Sequence, residues 1–283
     1  MKNILLAVAT LWFMQSCNET AKPAITAAET TINATEKTPD SLDINAPVAD
    51  AATILSRKQV PVLCYHHIKD WKPNERSSMK EYIVPVANFK AQMKYLADSG
   101  YHTITGDQYY AYLTKGTPLP PKPVMLTFDD TDEEQYTIGA TEMAKYGFKG
   151  VYFIMTISIG RPRYMSKEQL KALADSGHTV AAHTWDHHNV KNYGEADWDV
   201  QFAKPKEKIE SITGKPVEYF AYPFGVWKKE AIPELEKRGY KAAFQLSANV
   251  RDTAAPLYTL RRMIVPGTWD TKAMQKWMNY TFK

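Results

Sequence analysis

From Val60 onward, short apolar runs alternate with stretches of helical periodicity. The runs fall at 60–65, 124–128, 150–155, 179–182, 217–222, 242–246 and 260–265. They are rich in Val, Ile, Phe and Tyr and too short for buried helices, so they predict seven strands. Between them, Phe89, Met93 and Leu96 recur at i, i+4 and i+7, which predicts a helix over 88–99 that stops at Gly100. Ser166 followed three residues later by Gln169 is a capping-box pattern that opens a helix ending at Gly177. Residues 195–213, 227–238 and 270–280 read as further helices. Strands that alternate with helices form a parallel sheet wrapped by helices, and continuously apolar strands fit a sheet buried on both faces. Seven such units predict an α/β fold of one domain, a distorted (β/α)7 TIM-like barrel, in preference to an open sheet. Chemistry in such barrels sits at the C-terminal ends of the strands.

The N-terminal stretch follows other rules. Met1-Lys2-Asn3 is a short basic start, and Ile4–Met14 is an apolar run too short to span a bilayer but suited to a signal-peptide core. Met14-Gln15-Ser16-Cys17 resembles a bacterial lipobox. Residues 1–17 are therefore expected to be a lipoprotein signal, with cleavage before Cys17 and a lipid anchor on that residue. The predicted location is the cell envelope, periplasmic or surface. Residues 18–55, rich in Thr, Ala, Glu, Asn and Pro, read as a disordered tether. The domain then spans 56–283. Its one thiol, Cys64, has no partner for an internal disulfide.

Composition is ordinary for a globular protein, at 44% hydrophobic and 23% charged, and the net charge is +4. No basic block supplies the electrostatic footprint of a nucleic-acid binder.

Polar motifs follow the strands, as the barrel reading requires. Thr127-Phe128-Asp129-Asp130 closes the second. Two adjacent buried carboxylates repel each other, and a cation relieves the cost. His183-Thr184-Trp185-Asp186-His187-His188 follows the fourth. Two imidazoles from one strand end can converge on one metal, with His187 preferred over His188 as the second ligand. One carboxylate plus two imidazoles leaves an open position, as a catalytic site needs. Zn2+ is the expected ion, and Co2+, Ni2+ or Fe2+ would suit the same donors. Phe220-Ala221-Tyr222-Pro223-Phe224-Gly225 ends the fifth strand in a rigid loop.

In order and spacing these motifs resemble the polysaccharide deacetylase family, that of the NodB homology domain and carbohydrate esterase family 4. The likeness covers roughly residues 56–283. Cys64-Tyr65-His66-His67-Ile68 further resembles the branch with poly-N-acetylglucosamine deacetylases. The resemblance implies an acetylated glycan as substrate, Asp129 as catalytic base, and Asp130, His183 and His187 as metal ligands. It implies the Phe224 N–H as oxyanion donor, with Tyr222 and Trp185 as further substrate contacts. Trp185 and Trp227 are candidates for stacking on sugar rings. The chain departs from the family's common form in three places. Thr131 stands where Gly is usual, Ala221 stands where an Arg commonly orients the base, and no His follows His188 to act as the C-terminal acid. His66, with His67 as the alternative, is the expected replacement acid, and Arg261 or Arg262 the source of the guanidinium. Two rival readings remain at this level: a catalytically weakened deacetylase-like carbohydrate-binding lipoprotein, and a two-carboxylate glycosidase using Asp129 with Asp132 or Glu133.

Overall fold

The computed structural model describes residues 48–246 and 250–283. The expected signal segment and Cys17 lie outside them, and among the described residues no helix is long and apolar enough to cross a membrane.

Seven parallel strands close into a barrel: β1 (Val62–Tyr65), β2 (Pro123–Asp129), β3 (Gly150–Ile154), β4 (Thr179–Ala182), β5 (Tyr219–Ala221), β6 (Ala242–Leu246) and β7 (Leu260–Ile264). Each pairs with the next in chain order, and β1 closes the ring by pairing with both β2 and β7. All seven coincide with the apolar runs of the sequence. A short strand, His102–Thr103, extends the sheet beside the start of β2. The β1–β2 connection also carries a small two-stranded pairing of His67–Ile68 with Ile83–Val84.

The register fixes the outer layer. Tyr65 lies opposite Phe128, and Phe128 opposite Tyr152. Their rings stack in a row, with centroids 5.6 and 4.8 Å apart. The intervening residues of the same strands face the barrel interior, so Thr127 and Asp129 point inward together.

The predicted helices are present at Val86–Asp98, Lys167–Asp175, Ala231–Lys237 and Thr271–Thr281. Ser166 and Gln169 form the reciprocal cap expected of them, Gln169 N donating to Ser166 Oγ at 3.2 Å and Ser166 N to Gln169 Oε1 at 2.8 Å. A further helix, Gly106–Lys115, was not anticipated and carries the same device at Thr105 and Gln108. The helix expected over 195–213 is a π-helical turn, Asp199–Ala203, running into an α-helix, Lys204–Thr213. A second π-helical stretch, Gln135–Ala140, follows β2.

The tether expected to reach residue 55 ends earlier. Asp50 caps a helix, Ala51–Ser56, by accepting from Thr53 N at 2.7 Å, and Ile54 on that helix is buried. An apolar anchor on a capped turn gains enough burial to stay folded, so the folded unit includes residues 48–55.

Candidate active site

The three motifs and the end of β1 meet at the C-terminal mouth of the barrel. Asp129, inward-facing and buried, is gripped by Arg262 from β7. Arg262 Nη1 donates to Asp129 Oδ1 at 2.5 Å and Nη2 to Oδ2 at 2.8 Å. Arg262 is itself buried and lies over the Phe153 ring, 4.9 Å from its centroid. Burial disfavours the charge on Asp129, but the Arg262 guanidinium outweighs it and, with His183, holds the carboxyl far below the usual carboxylate range. Cys64 Sγ lies 3.7 Å from Asp129 Oδ2; burial raises its pKa, so the thiol stays protonated and donates. The guanidinium that Ala221 does not supply thus comes from the last strand. Arg261, its neighbour, points outward to Gln59 Oε1 and Thr281 O.

Asp130 is in the opposite condition. Its Oδ1 is buried and accepts no hydrogen bond, and burial raises its pKa to about 6. Two imidazole nitrogens stand close to it: His183 Nε2 at 3.5 Å and His187 Nε2 at 3.4 Å. His183 Nδ1 lies 2.7 Å from the Ala221 carbonyl, which can only accept, so the proton sits on Nδ1. Burial lowers the His183 pKa to about 3, which keeps the ring neutral and leaves Nε2 a bare lone pair. A lone pair aimed at a carboxylate oxygen is repulsive unless a cation lies between them. Ligands about 2.1 Å from an ion at the tetrahedral angle stand about 3.4 Å apart, which matches both separations. Asp130, His183 and His187 therefore fit a divalent metal, and the Ala221 carbonyl plays the orienting part such imidazoles need. His188 takes no part. Its side chain is 75% exposed and pairs with Asp186 at 3.2 Å.

The backbone at this mouth is strained. Asp130, Thr131, Thr184, His187 and Phe224 all have φ between 59° and 78°, a region side-chain-bearing residues rarely adopt. Thr131 holds the conformation where Gly is usual because its hydroxyl accepts from Met155 N at 2.8 Å. The Thr184 hydroxyl accepts from His187 N at 2.9 Å and turns the second imidazole back toward Asp130.

Two glutamines that the sequence reading did not single out support these loops, each from a π-helical turn. Gln135 donates to the His66 carbonyl at 2.8 Å and also to the Asp129 carbonyl, tying the ends of β1 and β2 together. Gln201 accepts from Trp185 N at 3.1 Å and donates to Asp186 Oδ1 at 2.9 Å, which sets the His183–His188 loop. A π-turn carries one extra residue, which re-aims its side chain.

His66 stands next to Asp129. A ring nitrogen lies within 4.8 Å of a carboxylate oxygen, Nδ1 is buried without a partner, and burial lowers the pKa. His67 faces away, into a second cluster, with Nδ1 2.9 Å from Asp132 Oδ2 and 3.5 Å from Glu134 Oε1. Burial pushes its pKa down, and the two carboxylates more than reverse this, raising it to about 9.

The remaining candidates divide. Phe224 is 60% exposed beside the His187 ring, at the start of a 3₁₀ turn where amides lack intrahelical acceptors. Tyr222 requires a correction as a substrate contact. It is fully buried, its ring packs on Phe220 in the helix layer, and its N–H is spent on the Phe244 carbonyl. Strand alternation turns Ala221 inward and Tyr222 outward. Trp185 is half-buried with Lys208 over its ring at 5.1 Å. Trp227 is tied by its indole N–H to Gln245 Oε1 at 2.9 Å.

Breaking a buried ion pair strands the remaining charge. Arg262→Met is expected to destabilise the fold by about 3–5 kcal/mol in denaturant unfolding, and adding Asp129→Asn should recover part of the loss. His67 titrates in a separate window. Its folded pKa of about 9 exceeds the ordinary value of 6.5, so its stabilisation is complete below pH 6.5 and lost as pH rises to about 9. Chemical unfolding followed from pH 6.5 to 9.5 should lose on the order of 2 kcal/mol in the wild type, and His67→Gln should flatten that slope.

The family model described as polysaccharide deacetylase matches residues 116–243. All three motifs lie inside the match, while His66 on one side and Arg262 on the other lie outside it. YxkH of Bacillus subtilis is 29% identical over 210 residues, covering 74% of this chain and 72% of its own length. The poly-beta-1,6-N-acetyl-D-glucosamine N-deacetylase of Staphylococcus aureus is 24% identical over 213 residues, covering 70% and 73%. Among solved structures, the deacetylase PplD of Streptococcus pyogenes, in complex with acetate, superposes with a TM-score of 0.72 at 21% identity, covering 79% of this chain and 98% of that one; it shares the fold. Through the stretch that carries all three motifs, the chain matches the polysaccharide deacetylase family model.

Proposed function

We propose that this chain is a metal-dependent hydrolase that removes acetyl groups from an N-acetylated polysaccharide, with O-acetyl groups as a chemically similar target. The observation that carries the reading is the unlike treatment of two adjacent carboxylates: Asp129 locked as an anion by Arg262, and Asp130 left bare toward two imidazole lone pairs. The likeness to an N-deacetylase of poly-N-acetylglucosamine supports the substrate class.

Asp130, His183 and His187 would hold the ion. Bound there, a divalent metal, Zn2+ in preference to Co2+, Ni2+ or Fe2+, supplies Lewis acidity to the acetyl carbonyl and acidifies water. Asp129 accepts the proton of the attacking water. Because Arg262 holds it so firmly ionised, it is a weak base, suited to a water that is already acidic. Phe224 offers its N–H to the carbonyl oxygen as negative charge develops there. His66, beside Asp129, takes up the proton that Asp129 has accepted from the water and passes it to the departing nitrogen. Burial lowers the pKa of this ring, which makes its protonated form a stronger donor. The C–N bond breaks, acetate leaves, and the sugar keeps a free amine. The Arg262–Asp129 pair removes the main motive for reading the chain as a binder without turnover, since it provides the guanidinium absent from position 221. The glycosidase reading gives His183 and His187 no role.

Acetate release from acetylated chito-oligosaccharides is expected, abolished by a chelator and restored by Zn2+ or Co2+. Asp129→Asn should lower kcat by about 10²-fold or more, and His66→Ala by a similar factor, with His67→Ala milder. Glycan binding without acetate release under every metal would sink the hydrolase, and full kcat in His66→Ala would sink the acid assignment.

We also propose that the protein is an exported lipoprotein held to the envelope through Cys17, on the strength of Ile4–Met14 and the Ser16-Cys17 step. Cys17→Ser should move the protein from the detergent phase to the aqueous phase on Triton X-114 partition. Equal partition would sink the anchor.

A further inference from the structure

A groove of about 920 Å³ lies beside β7, lined from Gln59 and Arg261 at one end to Leu246 and Pro266 at the other. Tyr82, Trp269, Trp277 and Tyr280 line it, with Glu81 and Lys283 on its rim. The deacetylase chemistry described above uses none of these residues. The rings form one connected shelf. Trp269 and Trp277 stack nearly parallel, 6° apart in plane with centroids at 5.9 Å, and Tyr280 meets Trp277 edge-on at 5.5 Å.

Core packing accounts for Trp269 but not for Trp277 and Tyr280. The helix Thr271–Thr281 and the residue after it dock through Met274, Met278 and Phe282, all buried at i, i+4 and i+8. Trp277 and Tyr280 lie on a different stripe and remain 38% and 62% exposed. Large aromatic surface left in water on an otherwise well-packed helix marks a contact site.

Tyr82 links the shelf to the proposed reacting centre. Tyr82, 40% exposed, borders the groove on one side and on the other meets the His66 ring edge-on at 5.1 Å. A polymer whose reacting sugar sits at Asp129 and His66 can therefore run past Tyr82 onto Trp269, Trp277 and Tyr280.

The chemistry of the surface favours a sugar chain. Six large apolar side chains are strongly exposed among the described residues; four are aromatic, and three of those line this groove. Leu246, Met263 and Ile264 form the floor of the groove, and none of the three is strongly exposed. Flat rings bordered by charged groups suit pyranoses, which present an apolar C–H face and a polar edge. Lys283 lies over the Tyr280 ring at 4.8 Å, and its flexible stem can carry the ammonium aside to sugar hydroxyls.

We propose that this aromatic shelf is an extended subsite for a run of pyranose units in the polysaccharide, beyond the sugar that loses its acetyl group. The proposal rests on the hydrolase reading for its orientation toward His66, and its test separates the two. Trp277→Ala/Tyr280→Ala in the full chain leaves the docking face of the helix intact, and its thermal midpoint should match the wild type. Binding is read by affinity electrophoresis through gels containing glycol chitin, in an Asp129→Asn background that blocks turnover. Retardation should be lost in the double variant. In the active protein, kcat/KM on glycol chitin should fall about tenfold, while that on a short chito-oligosaccharide stays unchanged.

Equal retardation of the double variant and its parent would overturn the shelf, as would an equal loss of kcat/KM on long and short substrates. A wild-type dimer in sedimentation velocity that the double variant dissolves would also overturn it, by giving the surface to a second copy. Wild-type protein that is retarded by the polymer through Trp277 and Tyr280 yet releases no acetate would sink the hydrolase and leave the shelf standing.

Discussion

The bidentate pair between Arg262 and Asp129 sets the electrostatics of the whole barrel mouth. Two carboxylates stand side by side at the end of β2, and in a buried site their pKa values must separate. Arg262 decides which way. It fixes Asp129 as an anion and leaves Asp130 without a donor, its pKa raised to about 6 by burial. A buried guanidinium is costly and is tolerated here because both carboxylate oxygens receive it and the Phe153 ring lies beneath it. With the charge of Asp129 already matched, a cation at the mouth is left to Asp130 and the two imidazoles.

Geometry at the mouth is then bought with backbone strain. Left-handed φ at Asp130, Thr131, Thr184, His187 and Phe224 would relax if the loops were free. They are held by hydroxyls and amides whose partners are backbone groups: Thr131 with Met155, Thr184 with His187, Gln135 with the carbonyls of His66 and Asp129, and Gln201 with Trp185 N. Both glutamines come from π-helical turns. The irregular helices and the irregular loops are therefore parts of one arrangement, in which each departure from regular structure fixes another.

The strands were legible because a parallel sheet buried on both faces writes its strands as unbroken apolar runs. The same feature hid which way each side chain faces. In Leu260-Arg261-Arg262-Met263-Ile264 and in Phe220-Ala221-Tyr222 no polar–apolar contrast marks the parity. Sequence alone could not choose between Arg261 and Arg262, and it placed Tyr222 at the cleft when its parity turns it into the helix layer. The helix at Gly106–Lys115 had a readable signal in Thr105 and Gln108 that went unused. The π-turns had none, since one extra residue in a helical stretch leaves the apolar spacing nearly unchanged. Residues 48–55 looked like tether by composition. What folds them is one buried Ile54 and one Asp cap, too small a signal to stand out in that stretch.

Closure of the barrel explains how a chain that lacks two polar groups usual in the family it resembles can still bring a guanidinium and an imidazole to Asp129. The common form is expected to draw its orienting Arg from the end of β5, at the position of Ala221, and its acid from a C-terminal His. Here Arg262 comes from β7, and the proposed acid, His66, comes from the end of β1. In an open sheet those strands would stand at opposite edges. In this ring β1 pairs with β7 on one side and β2 on the other, so Cys64 lies in register with both Thr127 and Ile264. Every strand end faces the same small mouth, and a long side chain from any of them can reach the carboxylate at the end of β2. What the chemistry requires is a cation and a proton donor at fixed places around Asp129. The ring lets the chain supply each from a different strand without moving the place, which is why motif order was a good guide to the matching family model and a poor guide to Arg262.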